Sequence, residues 1–321
     1  MTVPGDQRDL HVVFGSGPVG RAVAAELVRG GRAVRVVNRS GRAPGLHEVE
    51  LVRGDAGDVA FARAAAGGAT VVYQTLNPGY QNWPELFPPL QASVLAAAEE
   101  ASARLVAMEN VYMYGPTGGR PLTEDLPYAA TTRKGATRAR MATDLLEAHR
   151  EGRVEVAIGR ASDFFGPGVR DSAVGERAFY AALAGKPVQV MGDPELPHTY
   201  SYVPDIGRAL VILGERDQAL GRAWHLPSPP TVSTRRFLEL VFAAAGQRPR
   251  VRRVPKPVLR ALGLVNADVR ELVEMTYEFE EPFVIDHGDF ARAFGDHATA
   301  LEQATSTTVD WFRDHPRTTA G

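Results

Sequence analysis

The sequence contains no cysteine, which excludes disulfide bonds, thiolate catalysis and cysteine-ligated metal centres. It has no long basic run and a formal net charge of −2, so nucleic acid and anionic membranes are not expected partners. It also lacks an apolar segment of membrane-spanning length and a charged-then-apolar secretion signal. The eight histidines show no metal-ligand spacing, so no metal is expected. These absences predict a soluble cytoplasmic protein.

A glycine-rich turn near the N-terminus is the most informative feature that is present. Gly15, Gly17 and Gly20 follow an apolar run in the spacing G-x-G-x-x-G, and a helical pattern comes next. In a strand–turn–helix unit the first glycine allows the turn, the second lets the backbone approach a pyrophosphate, and the third lets the helix pack on the strand. The helix N-terminus offers N–H groups to phosphate. The sequence therefore predicts a dinucleotide site that includes Pro18 and Val19.

The end of the second predicted strand indicates which dinucleotide binds. An NAD site usually has a carboxylate here for the ribose 2′-hydroxyl, but the sequence reads Asn38, Arg39, Ser40. A guanidinium and a hydroxyl suit a 2′-phosphate instead. We therefore expect NADP(H) to be preferred, with NAD(H) as the alternative.

Short apolar strands alternate with amphipathic helices through the first half of the chain, a pattern typical of a doubly wound parallel sheet of the Rossmann type. We predict an NADP-binding Rossmann domain over residues 1–165 and a smaller α+β substrate-binding domain over 166–321, with elements that interleave. The second domain is expected to lie across the carboxyl ends of the strands, where ligands bind in such sheets. Its predicted helices cover 175–184, 203–213, 234–245 and 268–277, and His225 is expected in the core.

Several further motifs follow in order along the chain. They are Gly54-Asp55, Tyr112-Met-Tyr114-Gly115, Lys134 early in a long helix, Phe165-Gly166-Pro167-Gly168, and Tyr202-Val-Pro-Asp205. Together with the glycine motif they resemble the extended short-chain dehydrogenase/reductase superfamily, of the NAD-dependent epimerase/dehydratase type. The resemblance implies that Asp55 and Ala56 contact the adenine, that Leu76 and Asn77 line the cofactor, and that Lys134 binds the nicotinamide ribose.

The chain departs from that pattern at the catalytic positions. The family uses a tyrosine four residues before the lysine and a serine on the loop after the fifth strand, but Ala130 and Asn110 stand there. Sugar dehydratases of the superfamily also carry an Asp-Glu pair, which Val111 and Tyr112 replace. That subclass is therefore disfavoured by the sequence.

Three explanations remain open for the departure. The first is a relocated acid, with Tyr112 as the first candidate and Tyr128 or His198 as the others. The second is a hydride transfer that needs little proton help, with Asn110 as a hydrogen-bond donor to a carbonyl oxygen. The third is a non-catalytic protein that binds NADP(H) as a sensor or scaffold.

Aromatic residues are expected to surround the substrate. They are predicted to lie in loops that face the crevice: Tyr80, Trp83, Tyr112, Phe164, Phe165, His198 and Tyr202. This density suits an apolar or aromatic small molecule. We predict an NADP(H)-dependent oxidoreductase that acts on a carbonyl or enone compound, with Lys134, Tyr112 and Asn110 as the catalytic residues. An epimerase or dehydratase with tightly bound cofactor is a further alternative.

The two long helices of the first half, predicted over 84–103 and 132–151, are rich in alanine and leucine. They carry more small apolar surface than one face of a sheet needs, and in the family resembled the matching helices pair between subunits. We therefore expect a homodimer.

Overall fold

The computed structural model describes residues 9–255, 258 and 274–317. The chain forms two compact units. The first comprises Met1–Met113, Arg133–Arg160 and Ile206–Leu226, and the second comprises Tyr114–Thr132, Ala161–Asp205 and Pro227–Gly321. The chain passes between the units several times, so neither is a continuous stretch.

The strands and helices of the described residues are numbered in chain order. The strands are β1 (Leu10–Phe14), β2 (Ala33–Asn38), β3 (Glu50–Arg53), β4 (Ala69–Gln74), β5 (Arg104–Glu109), β6 (Val156–Arg160), β7 (Asp163–Phe165), β8 (Val188–Val190), β9 (Pro197–His198), β10 (Tyr200–Tyr202), β11 (Ala223–His225), β12 (Val232–Ser233) and β13 (Val251–Arg253). The helices are α1 (Pro18–Arg29), α2 (Val59–Ala66), α3 (Trp83–Glu100), α4 (Arg133–Arg150), α5 (Glu176–Leu183), α6 (Val203–Glu215), α7 (Thr234–Ala244), α8 (Gly288–Phe294) and α9 (Leu301–Asp314).

A seven-stranded sheet in the order β11-β6-β5-β4-β1-β2-β3 forms the centre of the first unit. Every pairing in it is parallel. Phe14 of β1 pairs with Val37 of β2 on one side and with Gln74 of β4 on the other. The carboxyl ends of these strands therefore meet at one edge of the sheet, and the predicted Rossmann-type α/β fold is confirmed.

Helices cover the sheet, which explains why its central strands are apolar throughout. On one face Phe14, Val72 and Leu105 are fully buried in a core that also contains alanines of α2 and α3 and Leu145 of α4. Strands buried on both sides need no alternation of polar and apolar residues. That is why the short apolar runs of the sequence predict this sheet.

Two details of the sheet differ from the sequence prediction. The sequence predicts six strands, whereas β11 adds a seventh beside β6. This strand has only three residues, too few for a periodic pattern to show. His225 lies in it and is fully buried, as predicted.

The second unit is an α+β assembly of short strand pairs and helices. Its pairs are β10 with β7 and β13 with β8, both parallel, and β12 with β9, antiparallel. Its core is aromatic, with Phe179, Phe237, Phe242 and Phe312 at most 1% exposed. The predicted helix over 268–277 falls mostly outside the described residues. No helix in the described part of the chain has the length and apolar composition needed to cross a membrane.

Candidate functional site

The turn after β1 has the geometry of a phosphate-binding loop. Gly15 has a φ of +109°, a conformation that favours glycine. A Cβ on Gly20 would lie 2.1 Å from the Gly15 carbonyl oxygen, so helix α1 can pack this closely only without one. A Cβ on Gly17 would meet nothing within 4 Å. The turn is closed at its first and third glycines and open at the second, which fits the approach of a pyrophosphate.

Helix α1 begins directly at this opening. Gly17 is its N-cap and provides no side-chain hydrogen bond, and Pro18 occupies the first turn. The N–H groups of the first turn are therefore left for a ligand, and the positive end of the helix dipole favours an anion. Val19 packs inward and is 8% exposed.

Thr75, which the sequence analysis did not single out, fixes the turn from the neighbouring strand. It follows β4, and its hydroxyl donates to the Phe14 carbonyl at 2.9 Å. The hydroxyl oxygen of Thr75 lies 2.8 Å from the position that a Cβ of Gly15 would occupy, and 2.6 Å from the position of a Cβ on Gly20. Two glycines and one threonine therefore interlock. Because β4 lies beside β1 in the sheet, Thr75, which follows β4, comes next to the glycine turn.

The loop after β2 is organised by Asn38. Its side-chain amide donates to Ser16 Oγ at 2.9 Å and to the Arg42 carbonyl at 3.0 Å. Its oxygen accepts from the Ser40 hydroxyl at 3.0 Å and from the Gly41 N–H at 2.6 Å. Asn38 thus links the glycine turn to the loop that was predicted to read the ribose, and the Ser40 hydroxyl is held within that loop.

Three arginines surround the same loop. Arg39 and Arg42 are exposed, and Arg53, at the end of β3, donates from Nε to the Arg39 carbonyl at 3.3 Å. Arg53 also packs against Gly41, where a Cβ would lie 3.1 Å from the Arg53 Cβ. Among the described residues none of these guanidinium groups forms an ion pair with a carboxylate. Arg53 was missed because its proximity to the loop depends on the β2–β3 pairing, in which it lies opposite Asn38. Arg42 is close to Arg39 in the sequence but was not singled out.

The predicted adenine contacts lie nearby along the sheet edge. Asp55 is exposed and accepts the Gly57 N–H at 2.9 Å, which is a turn of the kind that aspartate often forms. Ala56 is 5% exposed. After β4, Leu76 is half-buried against the core and Asn77 is exposed. The Asn77 side chain is therefore accessible to a ligand, and the Asp55 carboxylate also stabilises the turn in which it lies.

At the end of β5, the side chain of Asn110 is held in one orientation. Its oxygen accepts from Arg138 Nε at 3.3 Å and from the Tyr112 backbone N–H at 3.3 Å. A flipped amide would place its NH₂ group against these two donors, so the network fixes the assignment. In the described part of the chain the Asn110 Nδ2 group has no hydrogen-bond partner, and the residue is half-buried.

Arg138 reaches Asn110 from α4 and is itself buried. It is 2% exposed, donates from Nη2 to the Met108 carbonyl at 3.2 Å, and stacks 4.6 Å from the centre of the Phe87 ring and 5.6 Å from that of Trp83. Burial lowers the pKa of Arg138, whereas the Glu109 carboxylate raises it. The sequence analysis missed Arg138, because only the packing of α3, α4 and β5 shows its surroundings.

A second buried arginine accompanies this group. Arg160 of β6 donates from Nε to Glu109 Oε2 at 3.0 Å, and both side chains are at most 1% exposed. Within the described part of the chain, the other oxygen of Glu109 has no hydrogen-bond partner. Two buried guanidinium groups therefore lie near one buried carboxylate, immediately before Asn110 in the chain.

Aromatic residues of the first unit gather around Trp83. The Trp83 ring centre is 5.0 Å from that of Tyr80 and 5.9 Å from that of Tyr112. The ammonium of Lys134, on α4, lies 4.5 Å from the centre of the Tyr80 ring, and Lys134 is 1% exposed. The structure thus brings Tyr80, Trp83 and Tyr112 together, while Trp83 is nearly buried and Tyr80 and Tyr112 are half-buried.

The position four residues before Lys134 lies outside helix α4, which begins at Arg133. Ala130 packs instead on the turn after Tyr114: a Cβ on Gly115 would lie 2.9 Å from the Ala130 Cα. Tyr128 makes an edge contact with Tyr114, with ring centres 6.0 Å apart. Tyr128 therefore packs within the second unit.

The remaining predicted pocket residues belong to strands of the second unit, not to loops as expected. Phe164 and Phe165 lie in β7, His198 in β9 and Tyr202 in β10. Phe165 is fully buried and Tyr202 is 5% exposed, with ring centres 5.3 Å apart. Strands of two or three residues carry no recognisable period, which explains the error.

His198 has a carboxylate partner in the second unit. Its Nε2 lies 2.9 Å from Asp163 Oδ2, and its ring stacks on Phe279 with centres 4.8 Å apart. It is 2% exposed. This imidazole is thus fixed on both sides within the second unit.

The comparison with protein families matches residues 12–225 to the family described as NAD dependent epimerase/dehydratase. The chain belongs to this family. It is therefore an enzyme of the NAD-dependent epimerase/dehydratase type. Among curated proteins, no sequence matches significantly.

Solved structures of epimerases and dehydratases share the fold with this family member. An epimerase of the methanogen Methanothermobacter thermautotrophicus, Mth375, aligns with a TM-score of 0.79 and 18% identity over 96% of this chain and 93% of that one. The UDP-glucuronic acid 4-epimerase of Bacillus cereus, solved with NAD, gives 0.77 and 16% over 96% and 100%. The NAD-dependent NDP-hexosamine 5,6-dehydratase TunA, of tunicamycin biosynthesis, gives 0.74 and 18% over 96% and 98%.

Proposed function

We propose that this chain binds NADP(H) and catalyses hydride transfer at an oxygen-bearing carbon of a small molecule, with the Asn110 amide donating a hydrogen bond to the reacting oxygen. The observation that carries the proposal is the fixed orientation of Asn110. Its oxygen is occupied by two donors, so its NH₂ group is left for a ligand. A donor of this kind stabilises negative charge that develops on a carbonyl oxygen.

The dinucleotide would lie along the carboxyl edge of the sheet. Its pyrophosphate fits the opening at Gly17, with Gly15, Pro18, Val19 and Gly20 shaping the turn. When bound, the nicotinamide supplies or accepts the hydride. We place the adenine end near Asp55, Ala56, Leu76 and Asn77, and the nicotinamide ribose at Lys134, as the family pattern implies.

The preference for NADP(H) rests on the arginine cluster. Arg39, Arg42 and Arg53 lie around the loop after β2, and none of them has a carboxylate partner among the described residues. A 2′-phosphate would supply the missing anion, and guanidinium–phosphate hydrogen bonds are among the stronger ones in proteins. Asn38 and Ser40 shape the loop that presents these side chains.

Tyr112 is our first candidate for the proton donor. It follows Asn110 by two residues, lies beside Trp83 and is half-buried. Arg138 is close enough to Tyr112 that an ionised Tyr112 would raise the pKa of Arg138. The Arg138 guanidinium therefore lies near the Tyr112 side chain, in the part of the first unit that also holds Asn110. Tyr128 and His198 remain the other candidates, although both pack within the second unit.

For the substrate we propose an apolar or aromatic carbonyl or enone compound. The aromatic cluster of Tyr80, Trp83 and Tyr112 supports this choice, because two of its members are only half-buried and offer ring surface beside Asn110.

A second candidate function is epimerisation or dehydration of a nucleotide sugar with tightly bound cofactor. The similar structures favour it, since a further one of them, that of MoeE5, was solved with UDP-glucuronic acid and NAD. The two candidates differ in stoichiometry. A reductase consumes one NADPH per product, whereas an epimerase regenerates its cofactor in each cycle and needs no net supply.

Two measurements distinguish the candidates. The first is to extract the purified protein with acid and identify any dinucleotide that it releases. The second is to follow NADPH absorbance with a panel of aromatic aldehydes, ketones and enones, and to follow UDP-glucose and UDP-glucuronic acid by chromatography. Net oxidation of NADPH supports the carbonyl reductase. Sugar conversion with retained NAD overturns it in favour of the epimerase.

The proton-donor assignment has its own test. Tyr112→Phe removes only the hydroxyl, so the dissociation constant of NADPH should not change while turnover falls at least about tenfold. Unchanged turnover would assign Tyr112 to packing and move the proton donor to Tyr128, His198 or solvent.

We also propose a homodimer formed through α3 and α4. Leu86 on α3 is 48% exposed, a large apolar side chain without cover in one copy of the chain. Sedimentation of the parent protein and of Leu86→Glu tests the proposal. A dimer that the substitution dissociates supports it, and a parent protein with the mass of a monomer at every concentration contradicts it.

A further inference from the structure

We infer that Arg138 is a positioning residue, which turns the Asn110 amide so that its NH₂ group and not its oxygen faces the reacting atom. The inference deepens the proposed function and rests on it for the role of Asn110. No motif of the family pattern quoted above includes Arg138.

Asparagine can present either end of its amide, and only one end suits a developing oxyanion. An NH₂ group donates to such an oxygen, whereas a carbonyl oxygen would repel it. The backbone N–H of Tyr112 alone, at 3.3 Å, is one neutral donor. Arg138 Nε adds a charged donor at 3.3 Å, and charge-assisted hydrogen bonds are roughly twice as strong as neutral ones. The larger share of the orientation therefore depends on Arg138.

Arg138 is built to keep one position. Its Nη2 donates to the Met108 carbonyl at 3.2 Å, and its plane is held near the rings of Phe87 and Trp83. A flat guanidinium held by stacking and by a backbone carbonyl directs its Nε in a fixed direction. Burial lowers the pKa of Arg138, and the nearby Glu109 carboxylate acts in the opposite direction.

Burying the charged guanidinium of Arg138 costs free energy, which other interactions of the protein have to offset. Glu109 already has Arg160 at 3.0 Å, so the ion pair within the sheet is complete without Arg138. Among the described residues, Arg138 has no carboxylate of its own within ion-pair distance. Its burial therefore calls for another explanation than stability. Its hydrogen bond to Asn110 provides one.

The composition of the chain permits a direct test of the amide. The sequence contains five asparagines: Asn38, Asn77, Asn82, Asn110 and Asn266. Protein labelled with ¹⁵N-asparagine therefore gives few side-chain NH₂ signals, and loss of one pair in Asn110→Ser assigns Asn110. The labelled full chain is compared with Arg138→Met, which keeps apolar volume between the rings, and with Arg138→Lys, which keeps the charge but not the planar donor set.

We expect the Asn110 NH₂ pair to shift or broaden in both variants, while the Asn38 pair, at the end of β2, stays in place. Arg140→Met, on the exposed side of the same helix, is the matched control and should leave both pairs unchanged. The dissociation constant of NADP⁺, measured by calorimetry, should stay within about twofold in all variants. An Asn110 pair that stays unchanged in Arg138→Met and Arg138→Lys overturns the inference.

The fate of the proposed function is read separately. If one reaction of the panel described above is found, Arg138→Lys should lower kcat by at least about tenfold with little change in the KM for NADPH. If no reaction is found but the Asn110 signal shifts, the proposed function fails and the positioning role stands. If Arg138→Met does not fold, Arg138→Lys decides. A general loss of packing would move the Asn38 pair and the melting temperature as well, which identifies a merely structural role.

Discussion

A methyl group on Gly20 would lie 2.1 Å from the carbonyl oxygen of Gly15, so the first helix and the turn before it are in contact through backbone atoms. Gly17 lies between them in the sequence, yet a methyl group there would touch nothing within 4 Å. Gly20 is therefore needed for packing, whereas Gly17 leaves space for a ligand. Substitutions at the two positions should separate effects on folding from effects on binding.

We therefore expect Gly20→Ala and Gly17→Ala to fail in different ways. Gly20→Ala should lower the melting temperature strongly, because backbone atoms cannot move away without displacing α1 from the sheet. Gly17→Ala should fold as the parent does but bind NADPH at least about tenfold more weakly, since its methyl group occupies the space for the pyrophosphate. Thermal unfolding and calorimetry measure the two effects. Parent-like NADPH affinity in Gly17→Ala would disprove the phosphate site.

The second prediction concerns the cofactor's 2′-phosphate. Replacing Arg39 or Arg42 by alanine should weaken NADPH binding by about tenfold to a hundredfold, which corresponds to roughly 1.5–3 kcal/mol for a hydrogen bond to a charged group. NADH binding should not change, because NADH lacks the phosphate. Arg29→Ala is the control, since Arg29 is an exposed arginine at the far end of α1 from the glycine turn. Equal affinities of the parent protein for the two dinucleotides would refute the preference.

These two predictions rest on features that the sequence makes visible. The glycine turn and the end of β2 are local, since each occupies a few consecutive residues between a strand and a helix or loop. Short apolar strands and amphipathic helices are likewise local patterns, which is why the Rossmann-type fold could be predicted. The family match agrees with that prediction.

The surroundings of Asn110 could not be predicted in that way. Arg138 is 28 residues away in the sequence and reaches Asn110 only because α4 packs beside β5. In the sequence Arg138 reads as an ordinary helix arginine. His198 and Asp163 are likewise 35 residues apart, on strands of two and three residues. Such contacts depend on tertiary packing, and no periodic pattern announces them.

The third prediction separates the two ends of the Asn110 side chain. Asn110→Asp keeps an oxygen for Arg138 and for the Tyr112 N–H but replaces the NH₂ donor by a second oxygen. It should retain the melting temperature of the parent and lose at least about tenfold in turnover, as expected for loss of an oxyanion donor. Asn110→Ala should lose both turnover and stability, because it leaves the buried Arg138 Nε without its acceptor. Unimpaired turnover in Asn110→Asp would exclude the donor role.

The last prediction concerns a carboxylate buried in the second unit. Glu278 is 2% exposed, and one of its oxygens has no hydrogen-bond partner among the residues that the structure describes. Burial raises the pKa of Glu278 well above its usual 4.5, and the nearby Asp163 carboxylate raises it further. The folded protein therefore holds this proton at pH values where the unfolded chain has released it. Since the unfolded state binds fewer protons in that range, the free energy of unfolding falls as the pH rises from 4.5 through the raised pKa.

Glu278→Gln removes the titration but keeps the size of the side chain. The variant and the parent should have similar free energies of unfolding well below pH 4.5, where the parent carboxyl is neutral in both states. The variant should become the more stable one as the pH rises, by about 1.4 kcal/mol for each unit by which folding raises the pKa. His11, whose pKa burial lowers, contributes an opposite slope below pH 6.5 in both proteins and cancels in the difference. Urea unfolding at a series of pH values measures it, with the exposed Glu302→Gln as the control. A difference that does not grow with pH would show that Glu278 is charged in the folded protein at little cost.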